Sequence, residues 1–453
     1  MRKLKLSITL LAFVSILSCK QEKKEPPQDY ELASAWADMT NYIARYTPAN
    51  SPTFASRCLG YIGLTMYESV VNGSDEYQSV SEQLNGLGAL QKPEPGFVYN
   101  WQLALNAGQA EILRSIYIQT SDKNKAKIDS LEKLFEERIK TKVADDSIAS
   151  RSILFGKKIA QQIFEWSKTD GGHRAYLRNF DKKRVFADKP GCWRPPLYGQ
   201  SFNHYPLHPD WGKNRTFLVA DSMIADPAFI SYDTTPGSAY YNQFMEVYKK
   251  EKSLTQQEKE CAIWWGDDPD ETFTPPGHSY YLATIAIRAT KPNLVKCAET
   301  YARIGMAVAD AFRNCWKWKY EFFSERPNTF IPEHIDKEWV SFWPDPPFPA
   351  FPSGHAIQAS AAAFVLTDLY GDKFSFTDSA HAFRKRDEIR NADFKVRHFN
   401  SFLEVADETA RSRFYGGIHT SQDNRAGLEK GEEIATNVNK LHWKKNKSQA
   451  LNQ

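Results

Sequence analysis

The chain has 453 residues, 42% of them hydrophobic and 25% charged, with a formal net charge of +3. That balance excludes wholesale disorder, a collagen-like fibre and a disulfide-dense miniprotein. A charge of +3 over this length is too weak to argue for nucleic acid, and an aromatic content of 13% provides for a large packed core.

In chain order, Arg2, Lys3 and Lys5 form a basic n-region, and Leu6 to Leu17 an apolar stretch too short to span a bilayer. The following Ile16-Leu17-Ser18-Cys19 resembles a bacterial lipobox. The resemblance implies export, cleavage before Cys19 and lipidation there, so that acyl chains tether the mature protein to a membrane. Lys20 suits sorting to the outer membrane. Loss of residues 1–18 removes three positive charges and leaves a formal zero, so attachment would come from lipid and not from a basic face. Residues 19–30, with Glu-Lys-Lys-Glu-Pro-Pro, read as a solvated tether.

Most of the remainder reads as helix. Tyr30 to Tyr46, Pro52 to Val71, Val98 to Tyr117, Asp122 to Val143, highly charged and expected to be an exposed helix, and Ser147 to Lys168 carry helical patterning or helix stop signals. Asp170 to Arg215 holds Gly, Pro, aromatics, His173, His204 and His208 without that period, and is too long for a plain connector. It is expected to be a lid or a wrapped functional loop. Patterning returns at Ala239 to Trp265, Ser279 to Ala289 and Leu294 to Phe323. A Pro-rich run, 343–352, precedes a helix from Ser353 to Tyr370, and Ser401 to Arg413 and Thr420 to Leu441 close the domain. Strand patterns and internal repeats are scarce, so residues 31–441 read as one large all-α domain, with 442–453 a frayed tail. Past Cys19, Cys58, Cys192, Cys261, Cys297 and Cys315 match no metal motif and mostly sit in apolar helical stretches, which predicts buried free thiols.

Three segments carry chemistry. Lys319 and Arg326 are seven residues apart, two turns if one helix continues, and Pro327 follows. Pro352-Ser353-Gly354-His355 opens a helix, with Ser353 as N-cap and free N–H groups suited to an oxyanion. Ser412-Arg413 is followed by His419 and Asp423, whose carboxylate can fix the imidazole tautomer. Three cations, a hydroxyl, a backbone N–H and two imidazoles fit a tetrahedral oxyanion.

In order and spacing these residues resemble the acid phosphatase and vanadium haloperoxidase superfamily, with its Lys-x6-Arg-Pro, Pro-Ser-Gly-His and Ser-Arg-x5-His-x3-Asp motifs. The interval from His355 to Ser412 is longer than usual and implies an inserted loop. Trp264-Trp265-Gly266-Asp267-Asp268, followed by Thr274-Pro275-Pro276-Gly277, is similar to a segment of the vanadium chloroperoxidase branch. The resemblance implies two four-helix bundles, an active site within 264–423 and vanadate as cofactor. Vanadate would be held by Lys319, Arg326, Ser353, Gly354 and Arg413, with His419 as the axial vanadium ligand. Asp423 would orient His419, and His355 would be the acid–base group, oriented by Asp268 or, as fallback, Asp267. Lys319 would polarise bound peroxide, and Trp316 and Phe348 would form the halide pocket. Hydrogen peroxide and a halide would be the substrates, iodide before bromide. The same anion site also fits a phosphomonoesterase with His419 as nucleophile, or a non-catalytic oxyanion-binding lipoprotein. His278 reads as a structural turn residue.

Overall fold

The computed structural model describes residues 25–186, 188–196, 205–269 and 271–445. Residues 1–18, Cys19, Lys20 and His204 lie outside them. Among the described residues there are thirteen α-helices and one short two-stranded sheet: α1 (Asp29–Tyr46), α2 (Pro52–Glu68), α3 (Trp101–Ile116), α4 (Asp122–Lys140), α5 (Asp146–Ser167), α6 (Ala239–Glu251), α7 (Gln256–Trp264), α8 (Thr274–Thr290), α9 (Leu294–Phe322), α10 (Pro327–His334), α11 (Gly354–Tyr370), β1 (Phe376–Asp378), β2 (Arg397–Phe399), α12 (Phe402–Tyr415) and α13 (Ser421–Asn439). The strands pair antiparallel, Phe376 opposite Phe399.

The expected all-α architecture is present, with the long α9 at its centre. Helices α1, α2 and α8 pack on α9 to make one four-helix set, and α11, α12 and α13 group with it to make the other, while α3 and α5 cover α2 from outside and α4 packs on α3 and α1. Close approach needs small residues. A Cβ on Gly63 of α2 would strike the Tyr301 carbonyl of α9, and one on Gly305 of α9 the Leu59 carbonyl of α2.

The α11–α13 crossing matters most for function, because α11 begins in the motif residues. A Cβ on Gly431 would meet the Ile357 carbonyl and lie 2.6 Å from the Ser360 Cβ. Gly431→Ala is therefore expected to cost about 1–3 kcal/mol, read as a lowered thermal midpoint; an unchanged midpoint would show that the helices part freely.

Several expectations are corrected. Ala239 to Trp265 is two helices, because Thr255 and Glu258 form a capping box that starts α7. Helix α8 begins at Thr274, earlier than Ser279, since Pro275 and Pro276 fit a first helical turn. The tether gives way by Asp29, where α1 starts, and the Glu25 and Pro27 carbonyls already accept from Arg138 and Gln102. The tail is not frayed over residues 442–445: Trp443 is buried against Tyr67, and its carbonyl accepts from the Gln78 backbone. The charged α4 buries Ile128, Phe135 and Ile139 along one stripe and is amphipathic. Cys58, Cys261, Cys297 and Cys315 are buried and Cys192 half-buried, all as free thiols.

Candidate active site

Lys319 lies in the last turn of α9, which stops when Phe323 turns left-handed at φ 49°. Arg326 is therefore not two turns along the same helix but the N-cap residue of α10. The two cations meet through the Pro-rich run. Lys319 Nζ donates to the carbonyls of Pro349, Ala350 and Pro352 at 2.9, 2.7 and 2.7 Å. Arg326 donates to Phe348, Pro349 and Ile418 at 3.0, 3.3 and 2.8 Å. Proline has no N–H, so this run leaves carbonyls free to face cations.

Ser353 caps α11 by accepting from the Ala356 N–H at 3.4 Å, and its own N–H donates to the Asp423 carbonyl at 3.0 Å, joining the second and third motifs. Arg413, in the last turn of α12, donates to Ser412 Oγ at 3.1 Å and to the Ala262 carbonyl at 2.5 Å. His419 stands just before α13, not on a continuing helix. Asp423 is the third residue of α13, where it accepts from the Thr420 N–H at 3.0 Å and from His419 Nδ1, also at 3.0 Å. With the proton on Nδ1, the Nε2 lone pair of His419 is free to act as a ligand.

Relative exposures of Lys319, Arg326 and Arg413 are 0%, 1% and 0%. None makes a salt bridge within 4.0 Å among the described residues, although Asp423, Asp345 and Asp268 are near enough to act through space. Burial lowers the Lys319 ammonium to about 7 and the Arg413 guanidinium to about 10. Burial, followed by Arg326, Lys319 and Arg413, holds His419 well below the ordinary histidine range, so it is neutral. Burial and Arg413 do the same to His355, whose Nε2 is enclosed and lacks a hydrogen-bond partner. Buried cations this costly call for an anion to face them.

These groups open onto a cavity of about 350 Å³ lined by Trp316, Phe348, Gly354, His355, Arg413 and His419. Trp316 and Phe348 lie with ring centroids 4.8 Å apart, and Phe348 is 5.2 Å from Lys319 Nζ. A Cβ on Gly354 would lie 3.6 Å from Trp316 and 3.9 Å from Lys319 Cε, inside the space the cations face. Over its described residues the long loop wraps and does not stand off as a lid. Asn179, Phe180 and Leu207 line the cavity, and the Leu207 carbonyl accepts from Trp316 Nε1 at 3.1 Å. His208 is structural, bonded to Thr53 Oγ1 at 2.6 Å.

The expected orientation of His355 by an aspartate is corrected. Asp268 lines the cavity, and burial raises its carboxyl to about 7 against the pull of Arg413. Among the described residues it makes no hydrogen bond to His355. Asp267 spends both oxygens elsewhere, on His278 Nδ1 and His381 Nε2, each at 2.8 Å. Gly266 lines the cavity beside His355, and its carbonyl is within reach of the His355 ring. His278 is no turn residue but a buried residue of α8, the fifth of that helix. Sequence reasoning also missed Asp345. It sits in the visible Pro-rich run and lines the cavity, with Oδ1 buried and unpartnered and its carboxyl raised by burial to about 6.

Fold and site together define an all-helical protein with a buried cradle for a tetrahedral oxyanion. Residues 333–447 match the family model described as VCPO second helical-bundle domain. A vanadium chloroperoxidase of Curvularia inaequalis is 24% identical over 283 residues, 49% of this chain and 46% of that protein, so the match spans about half of that relative's length. A structure described as the first bacterial vanadium-dependent iodoperoxidase is 31% identical, with a TM-score of 0.79 over 94% of this chain and 100% of that one. A holo-type bacterial vanadium-dependent chloroperoxidase shares the fold at TM-score 0.63 and 17% identity, over 88% of this chain and 97% of that one. The chain belongs to the vanadium-dependent haloperoxidase family.

Proposed function

We propose that this protein is a vanadate-dependent haloperoxidase that oxidises a halide with hydrogen peroxide to hypohalous acid, iodide most readily and bromide next. The observation that carries the reading is the set of three buried cations without an ion-pair partner among the described residues, converging beside an imidazole whose ligating nitrogen is free. A cradle of this kind fits vanadate. Lys319, Arg326, Arg413, Ser353 and the Gly354 N–H would hold its oxygens, and His419 would hold the metal.

When bound, vanadate supplies a Lewis acid that activates peroxide without changing its own oxidation state. The protein residues do the rest. His355, neutral and at the cavity wall, takes and returns the proton of incoming peroxide. Lys319 places a positive charge where negative charge develops. Trp316 and Phe348 give a halide a weakly hydrated seat beside Lys319. Iodide is placed first because it is the easiest halide to oxidise and because the 31% identical structure carries the iodoperoxidase description.

Halide oxidation with and without orthovanadate tests the proposal. Vanadate-dependent turnover, fastest with iodide, is the expected result. Hydrolysis of a phosphomonoester that vanadate inhibits would replace it with the phosphatase reading, and anion binding without turnover would leave a non-catalytic binder. Export and lipid anchoring at Cys19 complete the proposal. They rest on the lipobox pattern and are compatible with the absence, among the described residues, of any helix long and apolar enough to cross a membrane. Metabolic labelling with a fatty acid that is lost in Cys19→Ala is the expected result.

A further inference from the structure

The long interval between α11 and α12 does more than connect them. Residues 371–401 carry β1 and β2, and they send Asp378 and His381, both fully buried, against the back of the cavity wall. There they meet Asp267 and His278. His278 spans two carboxylates, with Nδ1 2.8 Å from Asp267 Oδ2 and Nε2 2.9 Å from Asp378 Oδ2. Only an imidazolium has N–H on both nitrogens. Burial alone would suppress that form, but Asp267 and Asp378 override it and push the ring up to about 10. Asp378 is itself fixed by Trp264 Nε1 and the Ala380 N–H, each at 2.9 Å. His381 Nε2 donates to the second Asp267 oxygen at 2.8 Å, and Trp265 stacks on His278 at 4.6 Å.

Asp267 has φ 48°, a left-handed backbone that a residue with a side chain adopts at a cost. Its two histidine donors hold it there. The neighbours on either side face the site: the Gly266 carbonyl is presented to the His355 ring and Asp268 lies beside Arg413. Gly266 has no room for a side chain, since a Cβ there would lie 2.6 Å from the Trp343 ring.

We infer that His278, His381 and Asp378 are positioning residues, a clamp on Asp267 that fixes the 266–268 turn and through it the orientation of His355. The clamp depends on a segment that lies between two motif-bearing helices, α11 and α12. It deepens the haloperoxidase reading and rests on it.

The test uses the full chain and two substitutions at one position. His381→Leu removes the donor, whereas the His381→Gln amide can reach the same oxygen. The leucine variant is expected to lower kcat for iodide oxidation about tenfold, the scale seen when groups behind a catalytic residue are removed. The KM for iodide and the calorimetric affinity for orthovanadate should stay within about twofold, and the glutamine variant should recover most of kcat. A leucine variant that melts cooperatively and keeps the wild-type kcat overturns the clamp, as does equal loss in both variants. Should the leucine variant fail to fold, Asp378→Asn keeps the shape but leaves His278 a single carboxylate. It is expected to lower kcat about threefold at unchanged orthovanadate affinity, and an unchanged kcat overturns the clamp. Crystal structures of wild type and His381→Leu read the clamp without turnover. A displaced 266–268 turn and a rotated His355 ring support it, and an unmoved turn and ring refute it. A wild type that oxidises no halide sinks the functional reading but leaves this structural readout standing.

Discussion

His419→Ala is expected to lower vanadate-dependent halide oxidation by about a thousandfold or more, and to weaken orthovanadate binding in parallel, without unfolding the protein. The ring makes one hydrogen bond, from Nδ1 to Asp423 Oδ2, and Asp423 keeps its capping bond to the Thr420 N–H when the imidazole is removed. The start of α13 therefore survives the substitution, while the imidazole lone pair that Asp423 leaves free to ligate beside the three cations is lost. Asp423→Asn should be milder. The amide cannot hold the tautomer as a carboxylate does, and a loss of about 10–100-fold in affinity is expected. The checks are steady-state rates against each halide and titration of orthovanadate by calorimetry. An alanine variant with near-wild-type turnover would remove His419 from the site.

The residues of this site were largely legible from one sequence, because an oxyanion demands cations and donors and because their order and spacing resemble the motifs of a known family. How they come together was less so. Lys319 and Arg326 read as two turns of one helix, yet the helix ends between them and the Pro349 carbonyl brings them back to one point. The Pro-rich run was visible as composition, but that its carbonyls would face cations depends on a tertiary approach no local pattern encodes. The clamp was invisible for the same reason. His278 and Asp378 are 100 residues apart and Asp267 and His381 114, so spacing rules for ligands or triads had nothing to find. The break before α7 could have been read, since Thr255 and Glu258 form a capping box. The docking of Trp443 on Tyr67 could not, because its neighbours are basic and polar and only burial singles it out.

A second large effect is expected at Lys319, where stability and function should move in opposite directions. Burial lowers its pKa to about 7, against about 10.4 for an unfolded lysine. The unfolded chain then holds a proton that the anion-free folded chain has released between those values, so this group makes stability rise with pH there, by at most about 1.4 kcal/mol per unit. The penalty is fully present below about 7 and fades above it. Lys319→Met should remove this slope and melt higher than wild type at pH 7 without an anion, because a buried charge with no ion-pair partner among the described residues has been taken out. An oxyanion reverses the order, since it restores the missing partner and favours the ammonium. Sulfate, a tetrahedral anion that does not titrate in this range, should bind wild type with an affinity that falls by up to about tenfold per pH unit above 7. It should bind Lys319→Met about 100-fold more weakly at pH 7, with little decline of this origin. Thermal melts across pH 7 to 9 with and without sulfate, compared as wild type minus variant, read both effects. A difference that is flat with pH, or a methionine variant that binds sulfate as well as wild type, would mean that Lys319 does not face the anion.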